Sequence, residues 1–304
     1  MAEIGLSVYN NTLVSKYTAV IKLVDSCLQE AISSVICTKN YTYLAEKYIH
    51  LHQGRDSSKN LYITEIVLKL SKSQNLQNMR TAEAIASCLE KNNSEILRVK
   101  IVPPGLLYLE PSDLTLAVCL QNLLETSNLQ LGYRENKNKQ SNKPSNKLVD
   151  TGSLFTVQYA HARCCSLIEL ARQENLLVWA QQEINQNCLL GKFITPNPIP
   201  WLKKDRPQQL YFHQPTELIL MNKLIEVADN LELDTYGKSK NWQKIAVSVS
   251  QAFDGFWAQC RILGEVKIDC LELTQARCGL IIVTQMLLKR LLEEKLNIYA
   301  PSRI

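Results

Sequence analysis

The chain has 304 residues, of which 46% are hydrophobic and 21% charged, and its formal net charge is +5 at pH 7. This balance is typical of a folded globular protein and excludes an intrinsically disordered chain. Its ten glycines lie far apart, with no two closer than Gly255 and Gly264. Dinucleotide fingerprints and Walker A loops both need closely spaced glycines around phosphate, so the sequence excludes a nucleotide enzyme of either kind.

Apolar residues at helical spacing organise the beginning of the chain. They predict a helix over 13–37 and another over 80–91. A polar stretch at 52–60 precedes a further helix between these two. The core face predicted for that helix consists of Ile63, Ile66, Val67 and Leu70.

A strand, a turn and a strand are predicted over 96–110, because β-branched residues alternate around Val99 and Ile101, and an apolar stretch follows the turn at 103–105. A helix over 112–124 follows. These elements together predict an α+β domain over residues 1–125.

The composition changes over 126–151. The stretch from Tyr133 to Lys147 contains five basic residues and one acidic residue, which gives a local net charge of +4. Most of its other residues are Asn, Gln and Ser. Such a segment cannot bury apolar surface, so a flexible basic linker is predicted here.

Residues 152–304 have a strongly helical pattern, interrupted by a Pro-rich basic loop at 195–207. This pattern predicts an all-α helical bundle. The predicted helices span 154–175, 176–190, 216–233, 241–262 and 271–296.

The ten cysteines form neither a CxxC motif nor a Cys/His finger spacing. We therefore expect reduced thiols in the core of a cytoplasmic protein, with no metal site and no cofactor. A secretory signal and an apolar run of about 18 residues are both missing from the sequence, so we expect no membrane association.

Three motifs in the second half occur in the order found in one known family. They are FTVQYAHAR (155–163), FDGFWAQCRIL (253–263) and LNIYAPSRI (296–304). The first resembles, nearly letter for letter, the motif that opens the DALR anticodon-binding domain of arginyl-tRNA synthetases. The other two resemble that domain's aromatic helix and its closing motif.

The first half resembles the N-terminal additional domain of the same synthetases. The similar segments are LYITEIVLKLSK (61–72), AEAIASCL (82–89) and VKIVPPGLLY (99–108). In the family a catalytic domain lies between these two parts, where this chain has the basic linker.

The adenylation motif His-x-Gly-His is missing, because His50, His52, His161 and His213 do not have that spacing. Residues 69–73 read KLSKS, which looks like a class I signature loop. However, they lie at a helix end and upstream of where that loop belongs, so the match is interpreted as coincidence. We therefore expect no aminoacylation by this chain.

The resemblance implies that Gln158, Tyr159, Arg163, Trp257 and the terminal Ile304 contact the anticodon loop. Tyr159 and Arg163 are four residues apart and share one helix face. A ring beside a planar donor group suits a base or a phosphate. The alternative is that the aromatic residues only pack against the core and that Arg163 lies along the surface. His161 is interpreted as a hydrogen-bonded packing residue.

Two further groups of residues are candidates for RNA contacts. Leu106 and Tyr108 occupy the positions where the family's N-terminal domain touches the D-loop, and leucine neither stacks well nor donates a hydrogen bond. Lys203, Lys204 and Arg206 would contact phosphates, or they are solvated residues of a loop.

The sequence therefore predicts a non-catalytic tRNA-binding protein that favours arginine tRNA, with a synthetase as a candidate protein partner. One alternative is a protein–protein interaction scaffold without an RNA role. Another is a split synthetase subunit that works in trans with a separate catalytic chain.

Overall fold

The structure is a computed structural model, and it describes residues 17–36, 51–54, 59–74, 77–131, 151–179, 193–234 and 240–304. The chain divides into two compact units. The first comprises residues 1–119 with 202–210, and the second comprises 120–201 with 211–304. The predicted domain limits at 125 and 152 remain predictions.

The first unit combines helices with a small antiparallel sheet. Its elements are α1 (Val20–Val35), β1 (Leu51–Gln53), β2 (Tyr62–Thr64), α2 (Ile66–Gln74), α3 (Asn78–Asn93), β3 (Leu97–Val102), β4 (Leu106–Pro111) and the beginning of α4 (Asp113–Leu131).

The sheet has the strand order β1-β2-β4-β3, and all its strand pairs are antiparallel. β3 and β4 form the predicted strand–turn–strand, and the turn contains a cis bond between Pro103 and Pro104. Gly105 has φ 136°, a conformation that a side chain would strain. Helices α2 and α3 pack on the sheet, and α1 packs on α3.

One prediction for this half was wrong in detail, and one helix extends past the predicted start of the linker. Ile63 was assigned to a helix, but it lies in β2, and the helix begins only at Ile66. The Thr64 hydroxyl accepts the Ile66 N–H at 3.2 Å, where the strand gives way to the helix. The linker was predicted to begin at 126, but α4 continues to Leu131. The rest of the predicted linker, 132–150, lies outside the described residues.

The second unit is mostly helical, which confirms the predicted fold class. Its elements are α5 (Thr151–Gln173), β5 (Val178–Trp179), β6 (Phe193–Thr195), α6 (Pro215–Leu233), α7 (Trp242–Gln259), α8 (Glu265–Asp269) and α9 (Leu271–Arg290), which continues into a π-helical turn (Leu291–Lys295). A helix was predicted over 176–190, but the described residues at the beginning of this range include strand β5. Asn175, with φ 54°, ends α5, and residues 180–192 lie outside the described part.

Helix α9 forms the centre of the second unit and packs against α5, α6 and α7. By length and composition Leu271–Lys295 is apolar enough to cross a membrane. However, 78% of its apolar 18-residue stretch is buried inside the protein. Gly279 lets the fully buried Trp201 approach this helix, since a Cβ at this glycine would lie 2.5 Å from the ring. Core packing therefore accounts for the apolar character of the helix.

Candidate nucleic-acid interface

Helix α5 carries two exposed aromatic rings and a half-buried arginine at four-residue spacing. The Arg163 guanidinium donates a hydrogen bond to the Tyr159 hydroxyl, with Nη1 and Oη 3.2 Å apart. The Phe155 ring stacks on Tyr159, with centroids 6.4 Å apart and ring planes 26° apart. Phe155 is 53% exposed and Tyr159 44% exposed. Sequence reasoning missed Phe155, although it lies one further helical turn along the same face.

Trp257, on α7, joins this line from the neighbouring helix. The guanidinium carbon of Arg163 lies 5.0 Å from the centroid of the Trp257 ring, which is within the range of a cation–π contact. The structure therefore brings together three of the five residues predicted for the anticodon loop. We call Phe155, Tyr159, Arg163 and Trp257 the aromatic stripe.

Asp254 contributes the negative charge beside the stripe. It lies on α7 one turn before Trp257. Partial burial raises the pKa of its carboxyl group, and the positive charge of Arg163 works in the opposite direction. Arg163 is thus held between an aromatic ring and a hydroxyl, with the Asp254 carboxyl group near enough to feel its charge.

A shallow, open depression of about 440 Å³ adjoins Trp257. Its wall is mostly apolar, with one guanidinium group. The lining residues are Leu170, Trp257, Ala258, Arg261, Ile262 and Leu263. An apolar wall with one planar donor suits a flat, partly polar group such as a base.

The C-terminal tail, residues 296–304, is tied to a different face of α5. Gln158 Nε2 donates a hydrogen bond to the backbone oxygen of Tyr299 at 2.8 Å. His161 Nδ1 lies 2.8 Å from the backbone oxygen of Pro301. Between these two anchors Ala300 is buried. The Gln158 amide group, predicted to contact RNA, therefore holds the tail in this structure.

His161 is completely buried at this junction. Its Nε2 lies 2.9 Å from Gln285 Nε2, which makes Nε2 the acceptor and Nδ1 the protonated donor to Pro301. Burial lowers the pKa of His161, so the ring is neutral. The predicted role as a hydrogen-bonded packing residue is confirmed.

The other predicted RNA-binding residues lie in the C-terminal tail and in the first unit. Ile304 is exposed at the end of the tail. In the first unit Tyr108 lies on the outer face of the sheet between Ile63 and Lys100, and Leu106 shares that face. Lys203, Lys204 and Arg206 belong to the 202–210 segment of that unit, where Arg206 lies 3.7 Å from Asp205.

Several cysteines of the described residues are core thiols. Burial raises the pKa of Cys27 to about 11, that of Cys278 to about 12, and that of Cys164 above its usual value. A raised pKa disfavours the thiolate that a nucleophile or a metal ligand requires. Within the described ranges, His, Cys, Asp and Glu side chains form no group of three that could hold a metal ion.

Comparison with known protein families identifies a domain in the C-terminal half of the chain. Residues 157–304 match the DALR anticodon binding domain. The C-terminal half of this chain is therefore a DALR anticodon-binding domain. The stripe and the tail belong to this domain, apart from Phe155, which lies just before the matched residues. The resemblance seen in the VQYAHAR segment is confirmed for this half.

Curated relatives of the chain are arginine–tRNA ligases. The ligase of Ruminiclostridium cellulolyticum is 30% identical over 160 residues, which are 52% of this chain and 23% of the ligase. That of a Synechococcus strain is 29% identical over 149 residues, 48% of this chain and 21% of the ligase. The match thus spans less than a quarter of these relatives' length. No solved structure matches the chain significantly.

Proposed function

We propose that this chain is a non-catalytic tRNA-binding protein whose DALR domain holds the anticodon loop on the aromatic stripe. One observation carries the proposal: Arg163 joins the exposed Tyr159 ring and Trp257 into a single surface. Single-stranded RNA is commonly bound by stacking unpaired bases on aromatic rings and guanidinium planes.

The exposure of the stripe supports this role over packing alone. Phe253 and Phe256 of α7 are completely buried, as packing aromatics should be. Phe155 and Tyr159 instead leave about half of their surface in water, although burial would stabilise the fold. Adjacent exposed rings with a fixed cation beside them are typical of a binding surface.

The tail supports a second contact region on the same domain. Gln158 and His161 hold Tyr299 and Pro301 against α5, so the exposed Ile304 side chain follows a fixed segment. In the proposed complex Ile304 contacts the anticodon loop beside the stripe.

The finer parts of the proposal concern tRNA identity and catalysis. Arginine tRNA is favoured, because the similar proteins are named arginine–tRNA ligases. The match to those ligases lies in the DALR part of the chain, and the His-x-Gly-His motif is missing from the sequence. We therefore propose that the chain binds tRNA without aminoacylating it. Tyr108 and the loop cations Lys203, Lys204 and Arg206 would add weaker contacts to the D-loop and to phosphates, and the cytoplasm is the proposed location.

Titration of the purified chain with arginine tRNA at near-physiological salt tests the proposal. Arg163→Ala should weaken binding by about tenfold, since stacking is worth about 1–3 kcal/mol per base. Arg290→Ala is the control, because it also removes an arginine that hydrogen-bonds to a residue one turn away, Glu294. Equal affinities of the two variants would refute the proposal.

A further inference from the structure

Strand β3 lies at an edge of the sheet in the first unit, and within the described residues it pairs only with β4. The Ser112 N–H donates to the Ile96 oxygen at 2.8 Å, just before the strand begins. In an antiparallel ladder, hydrogen-bonded pairs recur at every second residue. Arg98, Lys100 and Val102 therefore direct their backbone groups toward β4.

The intervening residues, Leu97, Val99 and Ile101, point their N–H and C=O groups away from the sheet. Their backbone groups make no hydrogen bond with another segment within the described ranges. Leu97 is buried, so the backbone groups of Val99 and Ile101 form the accessible template for one more strand.

A groove of about 370 Å³ runs beside this edge, between β3 and α3. Val99 and Ile101 are half-buried along the strand, and the small Ala86 and Ser87 side chains lie on the helix side. The edge therefore offers unpaired backbone groups next to space for apolar side chains.

Charged side chains border the edge on both sides. Glu83 and Glu90 line the groove from α3, two helical turns and about 10.5 Å apart. Arg98 and Lys100 alternate with Val99 and Ile101, so their side chains leave from the opposite face, although Lys100 also borders the groove. The groove lining therefore carries two carboxylates against one ammonium group.

We propose that this groove binds an extended peptide segment of a partner protein, which adds a fifth strand to the sheet at β3. The bound segment has apolar side chains at alternate positions against Val99 and Ile101. Lysine or arginine flanks them and faces Glu83 and Glu90. This is recognition by strand addition, in which backbone hydrogen bonds supply affinity and side-chain pockets supply specificity. It is independent of the proposed RNA surface.

A second copy of this chain fits the edge less well than such a partner. Two β3 strands side by side would bring Arg98 and Lys100 next to their own counterparts, and like charges on adjacent strands destabilise a sheet. On that outer face a bound segment is favoured if it carries an acidic residue.

The test uses the full chain and the labelled peptide acetyl-Lys-Thr-Val-Glu-Val-Thr-Lys-amide, whose Lys and Val side chains face the groove. Backbone amide exchange is followed by NMR with and without the peptide. We expect the amides of Val99 and Ile101 to gain protection at least tenfold. The amides of Arg98 and Lys100 should change little, because they already pair with β4. An absence of this alternation, or no binding at all, overturns the proposal.

Two controls separate strand addition from charge attraction. The same peptide with N-methylated valines keeps its charges but loses backbone donors, and its binding should fall at least tenfold. The variant Glu83→Lys/Glu90→Lys should weaken binding of the parent peptide about tenfold, whereas Glu30→Lys, an exposed position on α1, should not. Unchanged binding of the N-methylated peptide contradicts the assigned occupant, and so does unchanged binding of the parent peptide to Glu83→Lys/Glu90→Lys. Self-association of the chain that excludes the peptide would also contradict it.

Discussion

Arg163 and Trp257, which come from two separate motifs of the sequence, meet in the folded DALR domain with the guanidinium carbon 5.0 Å from the ring centroid. If the pair binds RNA as a unit, the two side chains are coupled. We expect Arg163→Ala and Trp257→Ala each to weaken tRNA binding, and the double variant to lose less than the sum of the two. The coupling should be about 0.5–1 kcal/mol. A double-mutant cycle of tRNA dissociation constants measures it, and strict additivity would show that the residues act separately.

The contact between Gly279 and Trp201 predicts a destabilised variant. A methyl group at Gly279 would enter the Trp201 ring, so Gly279→Ala should lower the free energy of unfolding by about 1–3 kcal/mol. The control is Gly255→Ala on α7, where the nearest atom to the added Cβ is 3.9 Å away. It should be neutral or stabilise by up to about 1 kcal/mol through helix propensity. Urea unfolding of both variants measures the two changes in the free energy of unfolding. Equal changes would contradict the packing of Trp201 against Gly279.

The sequence predicted those features that depend on local spacing. Tyr159 and Arg163 share a face because four residues make about one helical turn, and the β3–β4 turn follows from Pro103, Pro104 and Gly105. Three-residue strands such as β2 carry too little alternation to be distinguished from a helix, and for this reason Ile63 was misassigned. Local spacing also could not predict that Gln158 holds the tail, because Tyr299 reaches it only through tertiary packing.

His161 makes the second unit sensitive to acid. Burial lowers its pKa below the ordinary 6.5, so the unfolded chain binds this proton more readily than the folded chain. The neutral His161 ring contributes its full stabilisation above about pH 6.5, and this contribution is lost as the pH falls toward the lowered pKa of His161. Protonation would also place a second N–H on His161, facing the Gln285 Nε2 group, which is itself a donor. Cys165 and the cationic Lys289 lie near the ring as well. Protection of the Ala300 amide, followed between pH 7.5 and 5, should decrease on acidification.

The variant His161→Gln is the control for this effect. Its amide group can still donate to the Pro301 oxygen but does not titrate. The decrease in Ala300 protection between pH 7.5 and 5 should therefore be smaller in this variant. The same decrease in both proteins would assign it to another group.

Asp25 in the first unit predicts the opposite pH dependence. Burial raises its pKa to about 6, while the hydrogen bond from Gln29 works against this rise. Its Oδ1 is buried without a hydrogen-bond partner. The folded chain therefore binds this proton more readily than the unfolded chain, and the carboxylate destabilises the unit above about pH 6. Asp25→Asn should stabilise the first unit by about 1–2 kcal/mol at pH 8, after allowance for solvent screening, and by little at pH 4. Equal effects at both pH values in urea unfolding would contradict the raised pKa.

The proposed placement of the anticodon loop on the stripe is tested most directly by changing the loop itself. The chain is titrated with arginine tRNA and with the same tRNA carrying a replaced anticodon loop, at low and at near-physiological salt. The account predicts that replacing the loop weakens binding at least tenfold at both salt concentrations, and that Tyr159→Ala removes most of this difference. Equal binding of the two tRNAs, lost together as salt rises, would mean nonspecific attraction to phosphate and would contradict the account.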